Sequence, residues 1–433
     1  MTGILNAPFE IKYLATGFFA VALLHTFVVS YFAKLSHQYK EGSAAEAFFH
    51  LMAEVEVVFG FWAFLFLMTW GILLGPTDVI HYQQSLNMTE PLFIFCVMIL
   101  ASTRPVLMLA RQTILAISGR LAKIIPVPAV TLQFYILMTL GTFLGSLITE
   151  PAAITIAALL LYKMIDAEKI DQTLLYGSIG LLFVNISVGG ALTHFAAPPI
   201  LVVARTWNWG LVDVFLNLGE ASIATVLINA TLFTVLFHKK IKQQLSPLQT
   251  TTGKMPVWVT VAHLLFLVAF VATAHYEKVF FGLFLIFIGL TTVTRKYQDA
   301  LKFKEALLVA FFLSGLIVFG SFQRWWLEPI ILALTEKALF FSAIALTAIT
   351  DNAALTYLGS QVPSLTDASK WALVSGAITG GGLTILANAP NPAGFSILSS
   401  KFPSKSLNAG KLLLAALVPT LIATGCFLIL GKF

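Results

Sequence analysis

Residues 148–155 read ITEPAAIT, and 201 residues later the pattern returns as ITDNAALT at 349–356. A second pair follows in the same order, GGALT at 189–193 and GGGLT at 380–384, 191 residues apart. A proline-bearing segment trails each of these, HFAAPP at 194–199 and ILANAPNP at 385–392. Gly, Ala and Thr are common wherever transmembrane helices pack closely, so either pair alone would mean little. Two pairs in one order at nearly one spacing point to an internal duplication.

The surrounding chain is a membrane chain by composition. Of its 433 residues 58% are hydrophobic and only 11% charged, with a mean hydropathy of +0.89. A soluble domain carries about a quarter charged residues, so water-facing surface cannot be covered here. The apolar runs are continuous over roughly 20 residues, the length at which a helix crosses hydrocarbon; a β-barrel would show shorter, alternating segments. The net charge of +6 is accounted for by basic residues collecting in cytoplasmic loops, with no need of nucleic acid. Cys96 and Cys426 lie inside apolar runs and imply neither a disulfide framework nor a metal site. The first apolar run lacks a basic leader and a small-residue cleavage pattern, and reads as a spanning helix.

Ten crossings are expected, at 11–33, 52–75, 91–110, 173–204, 210–237, 256–274, 276–294, 305–322, 371–400 and 409–431. Two further stretches, 127–165 and 328–358, hold the quoted motifs, with Glu150-Pro151 and Asp351-Asn352 between apolar arms. Each is expected to be a re-entrant hairpin whose tip is buried in protein, since lipid cannot satisfy irregular backbone. With both as hairpins and the N-terminus outside, the Lys and Arg residues divide as 18 against 7, with Arg104 inside a span, which accounts for all 26. The richer side is cytoplasmic and both termini are periplasmic. If one hairpin were a full crossing, every later loop would change sides and the bias would collapse. Five crossings separate the tips, an odd number, so the second hairpin enters from the opposite side. The chain thus reads as an all-α polytopic membrane protein of two inverted-topology repeats, 1–245 and 255–433. Each has three helices, a hairpin, a broken helix and a last helix, and the polar connection 238–255 parts them. In such layouts ions and substrates bind near the midplane among interrupted helices.

Ionisable groups at membrane depth are costly and therefore candidates for function. Glu150 and Asp351 hold matching places at the two tips, where oxygen ligands suit a hard cation such as Na⁺. Burial penalises the charged carboxylate, so proton and cation compete for the same oxygens. Either carboxylate can instead cap its tip helix, and Pro151 suits a first helical turn. Thr149, Thr350, Thr193 and Thr384 are repeat-matched hydroxyls that serve either as neutral ligands or as bonds to their own backbone. Asn352, Asn388 and Asn391 occur only in the second half and His194 only in the first, so the site is asymmetric. His194 titrates near neutrality when unperturbed; a structural hydrogen-bonded role fits it equally. Glu220, inside 210–237, reads as a relay group or as the partner that Arg104 needs. The Gly-rich stretches and following prolines supply helix interruptions, although plain kinks would look the same.

GSLITEPAAITIAALLL at 145–161, ITDNAALTYLGS at 349–360 and ANAPNPAG at 387–394 resemble a bacterial sodium/proton antiporter family of the ion transporter superfamily. The resemblance in layout covers essentially the whole chain, and the specific motifs about a tenth of it. Where the symporter branch carries Ser-Asn-Thr at its tips, this chain has Thr149-Glu150-Pro151 and Thr350-Asp351-Asn352, which favours a cation over a carboxylate substrate. The resemblance implies a homodimer in the bacterial inner membrane, with small inorganic cations, Na⁺ and H⁺, as cargo and lipid as surroundings. No cofactor, enzyme activity or nucleic-acid partner is expected. The rival reading is a Na⁺-coupled symporter or effluxer of an anion or metalloid, with Arg104 or His194 facing the substrate. An intramembrane enzyme lacks its motifs here, with no His-Glu-x-x-His and no Gly-x-Ser-x-Gly.

Overall fold

Long apolar runs in hydrocarbon must close their own backbone hydrogen bonds, and the computed structural model of the protein is accordingly helical. It describes residues 9–26, 28–166, 168–248, 255–274, 276–402 and 408–433. The fold is 79% helix, with no strand among the described residues. Six helices among them are long and apolar enough to cross a membrane: Val57–Leu74, Ala129–Ile148, Gln172–Leu192, Leu211–Leu236, Phe303–Leu332 and Ala409–Leu430. Pro76–Ser85 and Thr89–Ala101, bent by 64°, make a seventh if they are one span, and Ile11–Thr26 and Val257–Ala272 are shorter apolar helices. The protein is a polytopic helical membrane protein.

Breaks explain why fewer helices than ten expected crossings meet the length needed. The run 91–110 divides at Ser102-Thr103 into Thr89–Ala101 and Arg104–Leu121, because Pro105 is tolerated only in a helix's first turn. The run 11–33 divides into Phe9–Thr26 and Val29–Ser36. The run 305–322 instead grows to a 30-residue helix, Phe303–Leu332, with Pro329 in its last turn. That helix takes the opening residues of the expected hairpin 328–358, whose arms are Glu336–Thr347 and Asn352–Ser360. Pro76–Ser85 falls in a stretch too polar for a hydropathy reading to reveal, and Ala44–Met52 is apolar but too short to cross.

Contacts divide the chain into two compact units, and each draws on both halves of the sequence. One comprises the described residues up to Cys96 with Phe303–Ala333 and Tyr357–Leu365. Its core is aromatic: Phe66 packs on Phe319 and Phe322 at ring separations of 5.7 Å, and Phe59 meets Phe312 edge-on at 5.5 Å. Such pairs add to the large area each ring buries. Gly315 lets its helix lie against the backbone of Phe59 and Gly60, with no room for a Cβ.

The other unit comprises Val97–Lys302, Leu334–Thr356 and Thr366–Phe433. At its centre runs Gln172–Leu192, 94% buried, against 39% for Leu211–Leu236 and for Ala409–Leu430. A helix apolar on all faces belongs in the interior, and its small residues allow close neighbours; Gly180 faces the main chain of Ala415 and Ala416. In the first hairpin Ala129–Phe143 packs against Glu150–Met164, so the chain reverses at the tip. In the second, Glu336–Thr347 packs mainly against Asp367–Gly380.

The polar connection after the first half is partly ordered, with a helix over His238–Gln244. Ser246 N–H donates to the Met164 carbonyl at 2.8 Å. Asp171 N-caps the central helix through Leu174 N–H at 2.8 Å and pairs with Lys240 at 2.7 Å. Partial burial pushes the Asp171 carboxyl up, but hydrogen bonds from Lys240, the Leu174 amide and Gln244, with the Lys240 charge, outweigh it. They hold the carboxyl at about 2 instead of 3.8. The folded value lies below the unfolded one, so this contribution is present above 3.8 and is lost as pH falls towards 2. Asn caps a helix about as well as Asp, so Asp171→Asn should remove the charge and spare the cap. Thermal unfolding of the purified protein followed over that pH range should lose part of its acid dependence in the variant. An unaltered profile would show that the pair contributes nothing.

Candidate functional site

A chain reversal at Thr149, a helix break at Thr350-Asp351 and two interrupted helices build the candidate site, all within the second unit. At the first tip, Thr149 has φ 79° and ψ 148°, between helices Gly145–Ile148 and Glu150–Met164. A β-branched residue at positive φ is strained by about 1–3 kcal/mol, and such strain concentrates at functional positions. Thr149 does not cap the helix that follows, and its hydroxyl, on a residue only 4% exposed, has no hydrogen-bond partner.

Glu150 is the first residue of that helix and is fully buried. Its Oε2 accepts from the Asn388 amide at 2.9 Å, while Oε1 has no partner. Asn388 comes from the interruption in the second broken helix, 238 residues away in sequence. The positive end of the helix dipole favours a carboxylate in the first turn, yet full burial opposes bare charge. Such a group is best accommodated with a proton or a cation on it.

Asp351 is used differently. Its Oδ1 accepts from Ala353 N–H at 2.8 Å and Ala354 N–H at 3.1 Å, the bonding of an N-cap. The helix therefore begins at Asn352, not at Asp351. The backbone confirms this register. Glu150 N–H donates to the Ala196 carbonyl at 3.3 Å, and Asn352 N–H to the Ala387 carbonyl at 3.1 Å. The two acceptors are 191 residues apart, like the glycine motifs, but the two donors pair Glu150 with Asn352. Asp351 thus stands where Thr149 stands. The two carboxylates match in sequence and differ in geometry. Asp351 still lies within electrostatic range of Glu150, and its Oδ2 has no partner.

The broken helices bring the remaining groups in. Gln172–Gly189 ends in a short 3₁₀ turn, Gly190–Leu192, and Thr193 is extended. A Cβ at Gly190 would overlap the Glu150 carboxyl. Asp367–Gly380 gives way to irregular turns, and Gly381 and Gly382 lie against Ser187 and Val184 of the first broken helix. Ser187 Oγ donates across this crossing to the Ile378 carbonyl at 2.7 Å. The glycines do more than interrupt: they let the two interrupted helices touch. Asn391 then donates to the freed carbonyls of Gly381 at 2.8 Å and Thr384 at 2.9 Å.

Several hydroxyls brace this frame. Thr193 donates to the Ser146 carbonyl at 2.8 Å, and Thr384 to the Ala348 carbonyl at 2.9 Å. Thr350 donates to Leu346 of its own helix. Ser146, which sequence reading passed over, donates to the Gly189 carbonyl at 2.7 Å and accepts from Leu192 N–H at 2.9 Å. Nothing local marks Ser146, since its partners lie more than 40 residues on. Arg104 pairs with Asp299 at 3.8 Å, so Glu220 is not its partner; Glu220 is exposed. His194 is half-buried, its ring edge-on to Phe195 at 5.5 Å.

Oxygens of Thr149, Glu150, Asp351, Asn352, Asn388 and Asn391 are buried without a protein partner. Buried polar atoms are nearly always bonded, which makes this group of residues the candidate binding site. Oxygen ligands suit a hard cation, although the Asn352 amide nitrogen is also unpartnered there; no cluster of three or more His, Cys, Asp or Glu fit for a metal exists among the described residues. The atoms nearest a methyl at Gly190 are side-chain atoms of Glu150, which can move. Gly190→Ala should therefore reach the membrane in near-normal amount while its cation-dependent exchange in vesicles falls about tenfold or more, the scale of a misplaced charged hydrogen bond. Full activity in this variant would place the working carboxylate elsewhere.

No curated protein matches the chain. A family model does, over residues 10–430, nearly the entire length. The chain belongs to the family described as "Putative Na+/H+ antiporter".

Proposed function

We propose that the protein exchanges Na⁺ for protons, with Glu150 as the group that carries each in turn. Family membership supports cation/proton exchange in general. The observation that supports Glu150 as carrier is its fully buried carboxylate with one oxygen held by Asn388 and the other unpartnered. Bound proton and bound cation are two ways of neutralising one buried charge, and the site cannot favourably be without either. Loss of Na⁺ to one compartment then draws a proton from it, and the reverse on the other side.

Asn388 fixes the carboxyl plane by donating to Oε2, leaving Oε1 for the cation. Thr149, Asn352 and Asn391 supply neutral oxygens, and Asp351 supplies standing negative charge from its capping position. In this reading Thr193 and Thr384 brace the two interruptions. The halves are inverted repeats, which the paired amide bonds to Ala196 and Ala387 support. The protein acts as a homodimer of the bacterial inner membrane, with both termini periplasmic.

Purified protein in liposomes carrying a pH gradient tests this. Added Na⁺ should dissipate the gradient, with Li⁺, K⁺ and Ca²⁺ compared beside it. Glu150→Gln should fall to the level of protein-free liposomes. Asp351→Asn keeps a good cap, so it should retain exchange with a weaker apparent affinity for the cation. Asp351→Ala should in addition cost about 1 kcal/mol of stability through the lost cap. A parent protein indifferent to every cation would end the antiport reading; activity in Glu150→Gln would end the assignment of the carrier.

A further inference from the structure

We propose that a cavity in the flank of the second unit, away from the carboxylates, is a binding site for one anionic phospholipid of the surrounding bilayer. It lies among Gln172–Gly189, Glu220–Leu236 and Ala409–Leu430 and has a volume of about 510 Å³. Its walls are mainly apolar, with Gln172, Thr173, Asn229 and Lys411 among them, and Leu236, Leu414 and Val418 of its lining are 66%, 68% and 55% exposed. Side chains so apolar and so exposed on membrane-crossing helices face lipid tails, so an acyl chain is the occupant at hand.

The charge at the rim selects the headgroup. Lys411 lines the cavity mouth, donates to Gln172 Oε1 and lies 5.8 Å from the Tyr176 ring centre. Among the described residues no carboxylate pairs with it. It also sits in the first turn of a 22-residue helix that has no acidic residue there. A helix N-terminus carries partial positive charge and favours anions, so a lysine at that end leaves positive charge uncompensated. A phosphate held by Lys411 would relieve it, and its chain would run along Leu414 and Val418 into the cavity. Lys411 belongs to the basic side by the lysine and arginine count, the cytoplasmic side, where anionic headgroups attract such residues. A zwitterionic lipid would fill the same hydrocarbon slot and gain less at the rim.

The test is native mass spectrometry of the full chain in non-ionic detergent, titrated with phosphatidylglycerol or phosphatidylcholine of identical acyl chains. The expected result is one retained phosphatidylglycerol per chain, bound in preference to phosphatidylcholine. Lys411→Gln, a change at an exposed rim, should weaken phosphatidylglycerol retention by roughly fivefold and leave phosphatidylcholine unaffected. Val418→Trp, which narrows the opening, should reduce retention of both. Inorganic phosphate alone should not displace the lipid. Equal retention of the two lipids by the parent, or parent-like retention by Lys411→Gln, would overturn the proposal. So would displacement by inorganic phosphate, which would mean an anion site without a chain, or retention found only when two copies associate.

Discussion

The hydrogen bond from Asn388 to Glu150 is the contact on which the rest of the site turns. A carboxyl fully buried in a membrane protein cannot keep its charge unaided. One donor is enough to orient it and too little to satisfy it. The other oxygen stays available, and so do the oxygens of Thr149 and of the asparagines around it. Were the carboxyl fully bonded, as a structural group is, it would have no capacity left for a cation. Were it unbonded, it would have no fixed direction.

That bond requires two distant parts of the chain to meet without intervening side chains. The glycines make this possible. Gly190 leaves space for the carboxyl, and Gly381 and Gly382 let one interrupted helix rest against another at Ser187 and Val184. Each interruption frees carbonyls that would otherwise go unbonded, and side chains take them up: Asn391 in one half and Ser146 in the other. The frame is therefore rigid where its backbone is irregular. The polar atoms left over are concentrated around the carboxylates.

The two motif-bearing breaks share a backbone contact and differ in chemistry. Both send an amide to a carbonyl at the matched place in the following interruption. In the first half the residue at that amide is Glu150; in the second it is Asn352, and the acid has moved one position back to become a cap. A one-residue change of register converts a free carboxylate into a bonded one. Asp351 is bonded as a cap, and Glu150 keeps one oxygen unpartnered.

Much of this was legible in the residues themselves. Membrane helices follow from apolar runs, because hydrocarbon leaves the backbone no other partner. The breaks at Thr149, after Gly189 and after Gly380 follow from Gly and Pro, whose backbone limits are local. Glu150 stood out because a charged group at membrane depth has no inexpensive explanation. What the chain alone could not decide was which oxygens remain free, since Glu150 and Asp351 sit in nearly identical octapeptides. Their difference lies in Asn388, in two amides at Ala353 and Ala354, and in a one-residue shift of helix start. Ser146, the Arg104–Asp299 pair and the lateral cavity were equally hidden. Sequence carries what each segment needs; only the tertiary structure decides which distant segment meets the need, because the bonds that Ser146 and Glu150 make join residues 43 and 238 positions apart.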